Sequence, residues 1–307
     1  MSSKFSTFIC QNCGSETSQY FGRCLNCNEW NTIVEERKNT RSKITSVNKN
    51  KKSKLFNEIE IGNISRFTSG FKEFDRVLGG GIVPGSIVLL GGEPGIGKST
   101  IVLQSAGKIS LNGKVLYITA EESLEQVKIR WERLNQSSLD LKIYAETNLS
   151  LIIEEIKKIK PGFAIIDSIQ AINNDEMESS PGSVSQVRTC SSELQNLAKE
   201  NNIALLIIGH VTKDGALAGP KTLEHLVDVV LNFEGDNIAS HRLLRSVKNR
   251  FGSTFEIGIF EMLENGLREV INPSSIFTNK ENISGVTTTI TNEGSRPFAV
   301  DIQALVN

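Results

Sequence analysis

No stretch of this 307-residue chain approaches the roughly 18 consecutive apolar residues that a membrane-crossing helix needs. The polar opening Met1–Phe8 also lacks the apolar run of an export signal. A soluble, cytoplasmic protein without a membrane partner is therefore expected. Aromatic residues are scarce, at 6%, and 38% of the chain is hydrophobic, an ordinary balance for a globular protein. Charge of one sign is lacking too. With a net charge of -1, any attraction for nucleic acid has to come from a local surface. Beyond residue 27 the only cysteine is Cys190, set near Leu194 and Leu197 at helical spacing, and it reads as a small buried hydrophobe.

The other four cysteines crowd the front. Cys10-x-x-Cys13 and Cys24-x-x-Cys27 form two close pairs, and without an export signal they read as metal ligands rather than disulfides. Two paired knuckles folding back on each other offer four thiolates in tetrahedral array, the preference of structural zinc, with no position left open for catalysis. A redox dithiol needs only one pair, and iron clusters usually use other spacings. Gly14 and Gly22 stand where tight metal-binding turns need a permissive backbone. So small a module has almost no core, and its folding is expected to depend on the metal.

Texture divides the chain further. Residues 1–34 form the zinc module, and residues 35–57 a polar stretch rich in Lys, Arg, Ser, Thr and Asn, read as a flexible basic linker. The linker reads as a plain tether, or as a contact to DNA phosphates. From about Glu58 short apolar runs bounded by turn residues begin: Ile87–Leu90, Val115–Ile118, Phe163–Ile166, Ile203–Ile208 and Val229–Leu231. Such runs are what a parallel sheet covered on both faces requires. Leu124, Val127, Trp131 and Leu134 recur at the spacing of a covering helix. The whole predicts an α/β, doubly wound core over 58–272, turning to strand-rich alternation after Arg242. Residues 273–307 fall outside this core.

The sharpest motif is Gly92-Glu93-Pro94-Gly95-Ile96-Gly97-Lys98-Ser99, directly after the first of those strands and followed by Thr100 and an apolar helix. It satisfies G-x-x-x-x-G-K-[ST], in which glycines let backbone N–H groups turn inward on phosphate oxygens. Lys98 is then expected to reach the β- and γ-phosphates of ATP and Ser99 to ligate Mg²⁺, at the positive end of a helix. Asp167, closing the strand Phe163–Ile166, reads as the carboxylate that holds the metal's water shell, the alternative being a helix N-cap. Glu121 is favoured as the base that polarises the attacking water, over its neighbour Glu122, which reads equally as an early-helix carboxylate.

Several stretches together resemble the bacterial RadA/Sms DNA repair proteins over essentially the whole chain. They are the finger ending Cys27-Asn28-Glu29-Trp30, the P-loop Gly92–Thr100, the segment Gly209 to Gly215, Ala218-Gly219-Pro220, Leu223-Glu224-His225 and Lys248-Asn249-Arg250-Phe251-Gly252. The resemblance implies a RecA-like, DNA-dependent ATPase that assembles as a homo-oligomeric ring and branch-migrates recombination intermediates much as DnaB-type helicases move. Single-stranded or branched DNA, and recombinase or other repair proteins, would be its partners. In that reading Lys248 and Arg250 reach the nucleotide of a neighbouring subunit, where a trans cation stabilises charge on the phosphoryl group. Taken alone they read equally as a basic turn at a strand end. His210 reads either as a γ-phosphate sensor or as a core histidine, and the loops Asn173–Gln186 and Lys213–Lys221 take the DNA-contacting positions of RecA-like folds. Members of the family usually continue into a domain resembling the Lon protease fold, of which Arg296–Leu305 looks like the opening. Two other readings stay open: a KaiC-like nucleotide switch that controls partner binding, and a truncated remnant that binds ATP without motor activity.

Overall fold

The computed structural model describes residues 6–11, 13–37, 55, 57, 65–209, 222–235, 240–278 and 284–304. Most of the expected linker, His210 and the whole 213–221 loop lie outside them. Three short strands come first: β1 (Ser6–Cys10), β2 (Glu16–Thr17) and β3 (Ile33–Arg37), in an antiparallel sheet ordered β2-β1-β3. Its buried interior is Cys10, Cys24 and Ile33, with Phe8, Cys13 and Cys27 packed beside them.

The body follows as α1 (Lys72–Val77), β4 (Ile87–Gly92), α2 (Lys98–Ser110), β5 (Val115–Thr119), α3 (Leu124–Arg133), β6 (Leu141–Ala145), α4 (Leu149–Ile159), β7 (Phe163–Asp167), α5 (Val184–Asn201), β8 (Ala204–Ile208), α6 (Thr222–Leu226) and β9 (Val229–Glu234). Then come β10 (His241–Asn249), β11 (Ile257–Leu263), β12 (Gly266–Glu269), α7 (Ser274–Phe277), β13 (Val286–Glu293) and β14 (Arg296–Gln303). A nine-stranded sheet runs β12-β11-β10-β9-β4-β8-β7-β5-β6. From β9 to β6 all neighbours are parallel, and β10, β11 and β12 extend the sheet antiparallel.

Alternation within the buried strands feeds two cores. Val88, Leu90, Tyr117, Ile165 and Leu206 face Ile101, Val102 and Ala106 of α2. Ile87, Leu89, Ile118, Ile166 and Ile207 face Ile152 and Ile156 of α4 and Val187, Cys190 and Leu194 of α5. Cys190 is thus a packed apolar side chain. Val127 of α3 and Leu134, which caps its end, are buried as their spacing predicts, but Leu124 is exposed, because it opens the helix within the Ser123–Gln126 capping box. Strand β6 was not among the expected runs. It is an edge strand in which Lys142 and Ala145 are exposed, so it has no continuous apolar signal.

The β13–β14 hairpin is a separate two-stranded sheet that packs Phe298 and Val300 against Ile257, Ile259 and Leu243. Its anchor is Arg296, whose Nη1 donates to both carboxylate oxygens of Glu73 in α1, at 2.9 and 2.7 Å. Glu73 is buried and also accepts from Arg76 and from the backbone N–H of Ile259. Removing one partner of such a pair strands the other charge. Arg296→Ala should therefore lower stability by about 3 kcal/mol in urea unfolding, the lower end of the range because Arg76 remains. An unchanged midpoint would mean that the hairpin is not held to α1.

Candidate nucleotide site and metal ribbon

Every residue of β4 is buried, and the strand delivers its carboxyl end to the loop Glu93–Gly97, from which α2 begins at Lys98. Gly97 takes a left-handed backbone (φ 113°), and a Cβ there would stand 2.6 Å from Met262 Cε. No side chain caps α2, so the N–H groups of its first turn are aimed at the loop, as phosphate oxygens require. The Lys98 ammonium folds back onto its own loop, donating to the carbonyls of Gly92 (2.7 Å) and Glu93 (2.8 Å). Burial pushes its pKa down, while Asp167, Glu121 and Glu93 pull it back up. Ser99 and Thr100 follow in the first turn of α2 and are half-buried, and Pro94 and Gly95 form the exposed crest. Two ties brace this frame from the antiparallel side. Arg242 Nε donates to the carbonyl of Ile96 at 3.2 Å, and the Gln104 amide both donates to and accepts from the backbone of Leu267 in β12.

Asp167 ends β7 opposite Thr119 of β5, two strands from β4. It does not cap a helix, since the short turn Ile169–Ala171 that follows starts after Ser168. Its carboxylate accepts from the Tyr117 hydroxyl at 2.5 Å, and the Ser99 hydroxyl lies near enough to favour its charged form. Burial raises its pKa, and the two hydroxyls oppose that rise. A hydroxyl of the P-loop helix beside a buried carboxylate is the donor set a magnesium ion takes alongside nucleotide phosphates, so the residues fit Mg²⁺. Glu121 accepts a hydrogen bond from Ser168 and is close enough to Lys98 and Asp167 to perturb both. Glu122 is turned aside. Its carboxylate pairs with Arg130 of α3 at 2.5 Å, and its backbone bonds the Thr119 hydroxyl. It is not an early-helix carboxylate either, because α3 starts at Leu124.

Lys248 and Arg250 lie elsewhere. Val229 pairs with Asn249 and with Val88, near the start of β4, whereas Gly92 pairs with Phe233. Lys248 is level with Leu89 and Arg250 lies beyond Val88, so the two cations sit toward the opposite end of the strands from the P-loop, on the order of 10 to 16 Å along them. Lys248 Nζ donates to the carbonyls of Glu224 (2.5 Å) and Val227 (2.8 Å). Arg250 pairs with Asp228 at 2.9 Å, and the other oxygen of Asp228 accepts from the N–H of Ile87. Burial, then the nearby Arg250, push the Lys248 pKa down.

In the ribbon, the sulfurs of Cys10, Cys13, Cys24 and Cys27 all lie within 4.8 Å of one another. Gly14 N–H returns to the Cys10 carbonyl and Asn28 N–H to that of Cys24, closing one turn per pair. Gly14 has φ 71°, as its place predicts, but the second turn uses Asn28 (φ 62°) rather than Gly22. Four converging sulfurs fit a closed tetrahedral zinc site. The ribbon rests on the start of α5, where Gln11 accepts from Val184 N–H and Glu16 pairs with Arg188. The neighbouring segment 173–186 carries Asp175, Glu176 and Glu178 and no lysine or arginine.

Tyr117, Arg130, Ser168 and Arg242 were not anticipated. For Tyr117 a signal existed: one phenol among the aliphatic residues of a fully buried strand has to find a polar partner. The partners of the other three depend on which strands lie side by side, and nothing in the sequence marks them.

The description "Rubredoxin metal binding domain" matches residues 8–35, and "AAA domain" matches residues 63–216. The chain is 51% identical over 306 residues to the DNA repair protein RadA of Listeria monocytogenes serovar 1/2a, covering 98% of this chain and 67% of that protein. Among solved structures, a DnaB-like replicative helicase superposes with TM-score 0.58 at 17% identity over 68% of this chain and 63% of its own. The KaiC-like protein PH0186 from Pyrococcus horikoshii OT3 gives TM-score 0.54 at 20% identity over 67% of this chain and 99% of its own. Both likenesses speak for the RecA-like fold alone. No helix among the described residues is long and apolar enough to cross a membrane. If zinc rather than packing holds the ribbon, Cys24→Ser should lose the single bound zinc, measured by elemental analysis, and leave the main thermal transition of the body in place. Full zinc retention would overturn the four-thiolate assignment.

Proposed function

Because this chain belongs to the RadA family of DNA repair proteins, we propose that it is a Mg²⁺-dependent, DNA-stimulated ATP hydrolase that works as a ring of copies on recombination intermediates. The observation that carries this reading is the convergence of Lys98, Ser99, Asp167 and Glu121 at one end of the sheet, with Lys248 and Arg250 at the other.

The P-loop backbone and Lys98 would bind the β- and γ-phosphates of ATP, and Ser99 and Asp167 would hold Mg²⁺, which supplies charge neutralisation on the phosphates. Glu121, kept in place by Ser168, is the base that orients water, since Glu122 is engaged by Arg130. Lys248 and Arg250 cannot serve their own chain across the strand length, so their phosphoryl contact is to a neighbouring copy. The four-cysteine ribbon holds structural zinc. Single-stranded or branched DNA is the partner, and branch migration the outcome.

The acidic 173–186 segment favours one competing reading, a KaiC-like switch that hydrolyses ATP without responding to DNA. ATP turnover with and without single-stranded DNA separates the two, and a rate indifferent to DNA would support the switch. Glu121→Gln should keep ATP binding and lose hydrolysis by about 10²-fold or more. Lys98→Ala and Arg250→Ala should each be inactive alone, yet an equal mixture should recover about a quarter of the wild-type rate, since that share of interfaces joins an intact P-loop to an intact Arg250. A mixture as inactive as its parts would refute the trans role.

A further inference from the structure

Strand β5 is fully buried, and its one side chain with a titratable hydroxyl is Tyr117. Phenylalanine would fill the same space with no polar atom to satisfy, whereas a buried phenol carries the cost of desolvation unless it is bonded. Its bond goes to the carboxylate at the heart of the nucleotide site. In register, Tyr117 lies opposite Ile165 and Thr119 opposite Asp167, so Tyr117 and Asp167 are diagonal neighbours on one face of adjacent strands. That diagonal is within reach of an aromatic side chain. The hydroxyl donates to Asp167 Oδ2 at 2.5 Å, and Ser99 stands close to the same carboxylate from the P-loop side. The backbone oxygen of Asp167 is also tied, accepting from Ala120 N–H at 2.7 Å.

We propose that Tyr117 is a positioning residue for the metal site: its hydroxyl grips Asp167 Oδ2 from within the core and so keeps the carboxylate turned toward Ser99 and the magnesium water shell. The proposal rests on the reading of Asp167 as the magnesium carboxylate. Groups that hold a metal-binding carboxylate in this way tune affinity without touching the ion. Tyr117 is placed for this role by the sheet itself, since β5 and β7 are hydrogen-bonded neighbours and the Tyr117 ring is packed in the core under α2.

The test is binding of a fluorescent ATP analogue, titrated with Mg²⁺ from an EDTA-treated start, for wild type, Tyr117→Phe, Asp167→Ala and the double variant. Tyr117→Phe should raise the Mg²⁺ midpoint about tenfold while leaving nucleotide affinity in EDTA and the thermal midpoint close to wild type. In the Asp167→Ala background the same change should add no further shift. A wild-type midpoint in Tyr117→Phe alongside a shifted Asp167→Ala would overturn the role of Tyr117 and leave the metal reading standing. No shift in Asp167→Ala would overturn the metal reading itself. Equal loss of binding in EDTA, or an additive shift in the double variant, would mean that Tyr117 acts by packing rather than through Asp167.

Discussion

Strand β4 is hydrogen-bonded in parallel to β8 on one side and to β9 on the other, with all its residues buried. A strand held on both edges and covered on both faces has no freedom of register, because a slip of one residue would reverse every side chain between the two cores. That constraint fixes where Gly92 ends the strand and hence where Lys98 can start a helix. It also fixes the heights of β7 and β5, whose ends carry Asp167 and Thr119. The site is a product of sheet register before it is a product of side-chain chemistry.

The antiparallel extension has a matching part. Through β10 and β12 it returns Arg242 to the carbonyl of Ile96 and Leu267 to the amide of Gln104. The P-loop is therefore braced from the side that a bare parallel sheet would leave open. Met262 closes against Gly97, so the space a Cβ would need is already filled, which explains in steric terms why glycine stands there. The ribbon is the opposite case. Its interior is little more than its own cysteines and Ile33, and coordination has to supply what burial supplies elsewhere.

The strands β4, β5, β7, β8 and β9 were legible in the sequence because a strand buried on both faces leaves an uninterrupted apolar run. The P-loop was legible because its spacing is its chemistry. Strand β6 was not, since its edge position leaves residues such as Lys142 in solvent. Glu121 and Glu122 are adjacent and chemically alike, and what separates them is Arg130, eight residues on and nearly two turns into α3. The Tyr117–Asp167 contact joins residues fifty apart and needs the knowledge that β5 lies beside β7. Sequence shows which segments are buried strands, and their order in the sheet is what pairs the side chains.

The placement of the P-loop and the Lys248–Arg250 pair at opposite ends of the same strands gives each chain two unlike faces. If copies meet through these two faces, as proposed, their contacts would run head to tail, each copy offering one face and taking up the other. An open row of copies would then leave one nucleotide site without its cation and one cation without a site. Closing the row removes both defects at once. For a protein of this design, the turnover per chain would follow the fraction of nucleotide sites that face a neighbouring copy, and dilution would silence it long before any chain unfolds.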